Sequence, residues 1–211
     1  MRKSKEEAAQ TRKRIVTAAA GEFRKNGIVA TGLADLMKAA GLTHGGFYKH
    51  FESKDHLVRE ACQEAVQTAI CEWLATAVSK GSGAAAAYLS TDHRDDPAAG
   101  CPLSAIGSEL ARSDEKTRAV ATDGFLRLVE IMAGQFGKIP PAVSRRRALV
   151  AVSTMIGALT MSRIVTDPEL SEEILIEAEK SSRCTVLPQM KKRRRDRYES
   201  GEAGEKHGPR T

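Results

Sequence analysis

Residues 41–51 read GLTHGGFYKHF, a short segment with three glycines and an aromatic, basic end. Gly41 can supply the left-handed backbone conformation of a tight turn, and Thr43 can cap a helix that begins directly after it. Gly45 and Gly46 would each cost that helix about 1 kcal/mol relative to alanine. We therefore expect a helix whose outer side is kept small so that its backbone can approach a partner closely.

Helical patterns surround this segment on both sides. Upstream, apolar spacing predicts a helix over residues 8–25, ended by Asn26-Gly27, and a short helix over residues 33–39. The helix that starts at Thr43 should run to about residue 51, and Ser53 can cap a long helix to about residue 79. Further helices are predicted over residues 84–91, 102–111, 114–136, 142–165 and 169–185, with Asp114 as a start residue and a loop at 92–100. No alternating strand pattern is present, so we predict an all-α protein.

The charge is unevenly distributed along the 211 residues. Residues 1–60 hold 12 Lys or Arg against 7 Asp or Glu, residues 61–186 hold 13 against 16, and residues 187–211 hold 8 against 4. A basic head in front of a mildly acidic body predicts that the head contacts a polyanion while the body has a different task.

The same sequence disfavours several classes of protein. The cysteines stand far apart without a CxxC pair, which argues against a disulfide scaffold or a zinc module and indicates a reducing cytoplasm. They are Cys62, Cys71, Cys101 and Cys184. No run of 18 apolar residues is present, so we expect no membrane span, and the charged N-terminus is unlike a secretory signal. Because no nucleophile stands in a catalytic pattern, we expect no enzymatic activity, and we expect no cofactor and no metal site.

Three short helices with Gly41 between the last two match a helix-turn-helix arrangement. In this arrangement the second helix braces across the phosphate backbone, and the third inserts its first turn into the major groove of DNA. The predicted DNA contacts are small or polar residues at that turn and phosphate-directed donors behind it: Thr43, His44, Gly45, Tyr48, Lys49, His50 and Lys54. Phe47 and Phe51 are the expected core pair, which leaves Tyr48 pointing outward.

The stretch AAGLTHGGFYKHFESKDHLV at residues 39–58 resembles the signature of the TetR-type (TetR/AcrR) transcriptional regulators. Upstream, RIVTAAAGEFRKNGIVATGLADLMKAAG at residues 14–41 is similar to the first and second helices of that family. Further on, GCPLSAIGSELARSDE at residues 100–115 resembles a segment common in one branch of it.

The resemblance implies a homodimer that binds a palindromic operator in double-stranded DNA, with one DNA-reading head per subunit. The last two long helices of a helical body would pair across the dimer. Members of the family mostly repress, and a small-molecule effector in the body releases the DNA. Thr31 or Gly32 would meet a phosphate at the second helix, although the family usually has Ser or Thr where Gly32 stands. The hydroxyl contact would then pass to Thr31.

These expectations divide the chain into a helix-turn-helix domain at 1–52, a helical effector-binding and dimerisation domain at 53–187, and a basic disordered tail at 188–211. The basic run KKRRR at 191–195 is either a solvated tail or a non-specific aid to DNA binding. A sequence-independent, nucleoid-type DNA binder that uses both basic ends is the alternative function.

Candidates for the effector pocket are large apolar residues on the central helices, each of which could equally be plain core. They are Trp73, Tyr88, Leu103, Ile106, Phe125, Leu128, Met132 and Met155. Cys101 follows a predicted loop and precedes Pro102 at a helix start, where a lowered thiol pKa would suit a redox sensor. A small buried residue is the other interpretation of Cys101.

Overall fold

The computed structural model describes residues 5–79, 81 and 83–183, without the side chains of residues 44, 71–73 and 75. In this part of the chain all regular elements are helices, which confirms the predicted all-α class. The N-terminal elements are α1 (Lys5–Asn26), α2 (Leu33–Ala39), a 3-10 helix (His44–Lys49) and α3 (Lys54–Val66). The predicted tail, including 191–195, lies outside the described residues.

The remaining elements form the body. They are a π-helical segment (Gln67–Leu74), α4 (Ala75–Ser79), α5 (Ala84–Tyr88), α6 (Thr91–Asp95), α7 (Pro102–Ala105), α8 (Gly107–Leu110), α9 (Glu115–Gly134), α10 (Pro141–Ile164) and α11 (Pro168–Arg183). α3, the π-helical segment and α4 follow one another without a break, which confirms the long helix predicted to residue 79. The π-helical geometry in its middle was not predicted.

Two glycines end the first two helices as the sequence predicts. Gly27 has φ +87°, and its N–H donates to the carbonyl of Phe23 at 2.8 Å. Gly41 has φ +68°, and its N–H donates to the carbonyl of Lys38 at 2.9 Å. Because both angles lie in the left-handed region, side chains other than glycine would be strained there.

The third helix differs from the prediction in type and length. It is a 3-10 helix that ends at Lys49, whereas an α-helix to about residue 51 was expected. Gly46 N–H donates to the carbonyl of Thr43 at 3.2 Å, and the Thr43 side chain makes no capping hydrogen bond. Glycine disfavours the α-helix, and short 3-10 turns form where tertiary contacts fix the ends of a segment.

The body also departs from the sequence prediction in places. Residues 92–100, expected as a loop, contain most of α6, whose start is capped by Ser90 accepting from the His93 N–H at 3.2 Å. The helix expected over 102–111 is split into α7 and α8 at Ile106, where φ is −130°. Asp114 caps α9 by accepting from the Thr117 N–H at 2.8 Å, as predicted.

Two hydrophobic clusters hold these elements together. The head cluster joins α1, α2, the 3-10 helix and α3 to two residues that come much later in the chain, Ile106 and Leu110. The body cluster begins at Val66 and continues through α9, α10 and α11. The packing therefore changes within the long helix, between Ala65 of the head cluster and Val66 of the body cluster.

α10 is long and apolar enough to cross a membrane by length and composition, among the described residues. Core helices of globular proteins meet the same criteria, and α10 packs Val152, Met155 and Leu159 into the body cluster. Arg163 near its end donates to the backbone carbonyls of His93 and Arg94. These contacts show that one face of α10 packs into the body of the protein.

Candidate nucleic-acid interface

The 3-10 helix is fixed from behind by two aromatic side chains. Phe47 is 0% exposed and Phe51 is 2% exposed, and their rings stack with centroids 5.6 Å apart. Tyr48 is 69% exposed and meets the Phe47 ring edge-on. The arrangement predicted from the sequence, with two inward phenylalanines and an outward tyrosine, is confirmed.

The two glycines of the 3-10 helix face different ways. A Cβ on Gly45 would meet nothing within 4 Å, so this residue leaves the outer surface bare, as expected. A Cβ on Gly46 would lie 3.5 Å from Cε of Met37, so this glycine faces α2. The expectation that Gly46 also keeps the outer surface small is wrong, because the turn of the helix places it against α2.

The predicted polar contacts are distributed around the exposed face. Thr43 and Lys49 are exposed beside Tyr48, and His50 is half-buried. The carbonyl of His50 accepts a hydrogen bond from Nε of Arg12 at 3.3 Å. The His44 side chain, the predicted base reader, lies outside the described part of the structure.

Lys54 has a structural partner as well as a predicted phosphate contact. Its Nζ donates to the carbonyl of Ile28 at 2.5 Å and lies 6.0 Å from the centre of the Phe23 ring. The ammonium group has three donors, so this bond leaves donors for a phosphate. Lys54 therefore ties the start of α3 to the loop between α1 and α2.

The hydroxyl contact expected at the start of α2 is corrected by the structure. Thr31 is 3% exposed, and its hydroxyl donates to the carbonyl of Gly27 at 2.6 Å. Gly32 is the exposed residue that precedes α2, with extended backbone at φ −78° and ψ 158°. A phosphate at this position would meet backbone N–H groups of the first turn of α2, because the Thr31 hydroxyl is used inside the loop.

Sequence reasoning missed a charged clamp that supports the end of the 3-10 helix. The Arg12 guanidinium pairs with both carboxylate oxygens of Glu60, 48 residues later, and lies over the Phe51 ring at 4.5 Å. The hydrogen bonds from Arg12 hold the pKa of Glu60 below its usual value. His56 Nε2 lies 2.9 Å from the same carboxylate. A basic residue in the stretch TRKR carries no sequence signal that singles it out for this role.

The predicted effector-pocket residues are divided between the two clusters. Tyr88, Leu128, Met132 and Met155 are buried in the body cluster, and Leu103 and Phe125 are partly buried against it. Ile106 packs in the head cluster, apart from the predicted pocket residues of the body cluster. The Trp73 side chain lies outside the described part of the structure.

A cavity at one end of the body includes the predicted pocket residue Met132. It has a volume of about 360 Å³ and lies between α5 and the ends of α9 and α11. Met132 and Phe136 give it an apolar side, and Gln135 and Ser182 give it a polar one. The Ser182 hydroxyl is buried and makes no hydrogen bond within the described structure.

Cys101 lies in a buried polar cluster rather than in a reactive position. Its thiol is 1% exposed, and burial raises its pKa. The backbone N–H of Cys101 donates to Nε2 of His93 at 2.9 Å, while Nδ1 of His93 lies 2.7 Å from the carbonyl of Tyr88. The redox-sensor hypothesis required a lowered thiol pKa, so the structure contradicts it.

These two hydrogen bonds fix the neutral form of His93, with the proton on Nδ1, because a carbonyl can only accept. Burial lowers the pKa of His93 from 6.5 to about 4. No group of His, Cys, Asp and Glu within the described chain has the arrangement of a metal site.

The depressed pKa of His93 predicts acid destabilisation. The unfolded chain takes up this proton near pH 6.5 but the folded chain only near pH 4, so stability is full above 6.5 and falls as the pH drops through this window. The loss corresponds to about 3 kcal/mol. Urea unfolding from pH 7 to 4, at one protein concentration, should show this loss in the wild type and a shallower one in His93→Gln. If the free energy of unfolding fell equally with pH in both proteins, the acid destabilisation would not arise from His93.

Two family models match the chain. A model described as bacterial regulatory proteins, tetR family, matches residues 15–61. A second, described as transcriptional regulator LmrA/YxaF-like, C-terminal domain, matches residues 63–174. The exposed 3-10 helix and the helical body thus define a helix-turn-helix protein with a helical C-terminal domain. The chain belongs to the TetR/AcrR family of transcriptional regulators, which confirms the resemblance seen in its sequence.

Individual relatives agree with this assignment. The HTH-type transcriptional regulator TtgR of Pseudomonas putida is 46% identical over 59 residues, 28% of this chain and 28% of TtgR. The uncharacterized HTH-type transcriptional regulator Rv0196 of Mycobacterium tuberculosis is 29% identical over 175 residues, 74% of this chain and 86% of Rv0196. The crystal structure of a TetR-family regulator from Cytophaga hutchinsonii has a TM-score of 0.67 at 21% identity, covering 85% of this chain and 96% of that one. The match to TtgR spans little more than a quarter of that protein's length.

Proposed function

We propose that this protein is a sequence-specific DNA-binding transcriptional regulator, a repressor that acts in the cytoplasm and has no catalytic role. The outward face of the 3-10 helix carries the proposal. Gly45 leaves its start bare, Tyr48 and Lys49 stand exposed at its end, and Phe47 and Phe51 fix its back. A helix held in this way can bring its small side to base edges while hydroxyl and ammonium groups meet phosphates.

The protein acts as a homodimer through α10 and α11 in this proposal. An exposed stripe of apolar and small residues runs along α10 at helical spacing: Val150, Ser153, Gly157, Met161 and Ile164. Leu170 and Ile176 on α11 are also exposed. Because an apolar stripe of this length is unfavourable in water, pairing of these helices across a two-fold axis explains it. Two heads related by that axis match a palindromic operator.

A small molecule bound in the body releases the DNA in the same proposal. The support is the packing of Tyr88, Leu128 and Met155 in one buried cluster, beside a cavity that combines an apolar side with a buried hydroxyl. Apolar pockets with a few polar anchors are typical of small-molecule sites.

Replacement of Lys49 by alanine tests the DNA-reading surface. Fragments selected from the source genome by the wild type provide the operator, and binding is measured across a salt series. Loss of a phosphate contact in each subunit should weaken operator binding about tenfold and make its salt dependence less steep by about one charge per subunit. Lys116→Ala removes the same charge from an exposed position on α9 and is the matched control. Equal binding by the two variants would place the DNA-reading surface elsewhere.

A competition assay between operator and unrelated duplex distinguishes the proposed regulator from the alternative, a nucleoid-type DNA binder. A specific regulator keeps a preference of roughly a thousandfold or more for its operator over unrelated duplex at physiological salt. A binder that uses only the basic head and tail would lose nearly all affinity for both duplexes under these conditions.

A further inference from the structure

The loop between α1 and α2 is held by a carboxylate from the body. The N–H groups of Ile28 and Val29 donate to the two oxygens of Glu109, each at 2.9 Å. These residues are 81 and 80 positions apart from Glu109 in the chain. Two successive N–H groups that converge after a turn form a natural binding site for an anion, and here a side chain of the protein occupies it.

Gly27 allows this close approach. A Cβ at Gly27 would lie 3.1 Å from Oε2 of Glu109, closer than most real contacts of a Cβ atom. On the other side of the loop, Val29 is 85% exposed, so little apolar burial holds the loop in place there. The bonds that Glu109 accepts restrain the loop together with the Lys54 bond to the carbonyl of Ile28 and the Thr31 bond to the carbonyl of Gly27. Ile28 also packs against the head cluster.

Glu109 belongs to a junction segment, residues 101–110, that reaches both clusters. At one end, the carbonyl of Ser104 accepts from the Thr160 hydroxyl at 3.1 Å, and the Cys101 N–H bonds His93 at 2.9 Å. At the other end, Ile106 and Leu110 are buried in the head cluster. A displacement of this segment by the body would therefore also move Glu109.

The loop that Glu109 holds leads directly into α2. α2 in turn packs against the 3-10 helix, since Cε of Met37 lies 3.5 Å from where a Cβ on Gly46 would be. Movement of the loop would thus shift α2 and the reading surface together, because packed helices move as rigid bodies and not by continuous deformation.

We propose that Glu109 is a positioning residue for DNA recognition, which fixes the α1–α2 loop, and with it the reading surface, relative to the body. The proposal rests on the proposed function, but it concerns a residue that touches no DNA.

Glu109→Gln tests the proposal, since a glutamine offers one acceptor oxygen and would aim an amide N–H at a backbone donor. In the full-length protein, operator binding should weaken about tenfold because both charge-assisted bonds are disturbed, whereas binding to unrelated duplex should change less than about twofold. Hydrogen exchange of the Ile28 and Val29 amides should accelerate. Glu130→Gln, an exposed position on α9, removes the same charge and is the control.

The other outcomes are equally decisive. If Glu109→Gln binds the operator as the wild type does, Glu109 does not position the head. If Glu109→Gln lost the same affinity for operator and for unrelated duplex, and its unfolding midpoint fell, Glu109 would have only a structural role. If Glu109→Gln does not fold, Glu109→Asp replaces it, because it keeps the charge with a shorter reach and should show a smaller loss of the same kind. A wild type without operator preference would refute the proposed function itself.

Discussion

A variant in which glutamate replaces Gly157 is expected to be a folded monomer. A side chain at Gly157 would meet nothing within 4 Å in the single subunit, and glutamate favours the helix over glycine by roughly 0.5 kcal/mol or more. In a dimer through α10, the same carboxylate would be buried without a partner against its own copy. This should cost on the order of 4 kcal/mol, or about a thousandfold in the dimer Kd.

Sedimentation or light scattering over a concentration series measures the dimer Kd, and circular dichroism verifies the fold. Loss of the dimer should also weaken operator binding, since a single head contacts only half of a palindrome. Gly134→Glu is the matched control, because Gly134 is exposed near the end of α9 with nothing within 4 Å of a Cβ. A dimeric Gly157→Glu protein would show that α10 does not form the interface.

The second large effect is expected from Gly100→Ala. A Cβ at Gly100 would lie 2.6 Å from both Cδ2 and Nε2 of His93. The His93 ring cannot move aside easily, because hydrogen bonds to the Tyr88 carbonyl and from the Cys101 N–H hold both of its nitrogens. Overpacking together with a broken buried hydrogen bond should lower the free energy of unfolding by about 3 kcal/mol.

Gly107→Ala provides the comparison for this prediction. It lies in the same part of the chain, at the start of α8, and a Cβ there would meet nothing within 4 Å. This variant should be neutral or slightly more stable than the wild type. Urea unfolding of both variants at one protein concentration gives the difference. Similar free energies of unfolding for the two variants would mean that the residues around His93 rearrange with little loss of stability.

Local sequence signals predicted most of the head and the ends of its helices. Gly27 and Gly41 end α1 and α2 because their backbone conformations suit few other residues, and Ser53 caps α3 through a bond within three residues. The inward phenylalanines and outward Tyr48 followed from spacing on one short helix. These features depend on neighbours in the chain, so a linear pattern contains them.

Features that could not be predicted from the sequence depend on residues that the fold brings together. The sequence suggested that the Thr31 hydroxyl contacts a phosphate, whereas in the fold it donates to the carbonyl of Gly27. The packing of Ile106 in the head cluster, at the break between α7 and α8, was not evident from its place in the chain. For Cys101, a helix start suggested a lowered thiol pKa, and burial by the surrounding body raises it.

By itself, the sequence determined an all-helical chain with a basic helix-turn-helix head, because helix periodicity, glycine turns and caps are local properties. The tertiary structure alone decided which charges and donors meet. The Arg12 pair with Glu60 spans 48 residues, and the Glu109 bonds to the α1–α2 loop span 80 and 81. Such contacts form only when separate helices pack, since hydrogen bonds and ion pairs depend on distances in space that no spacing along the chain specifies.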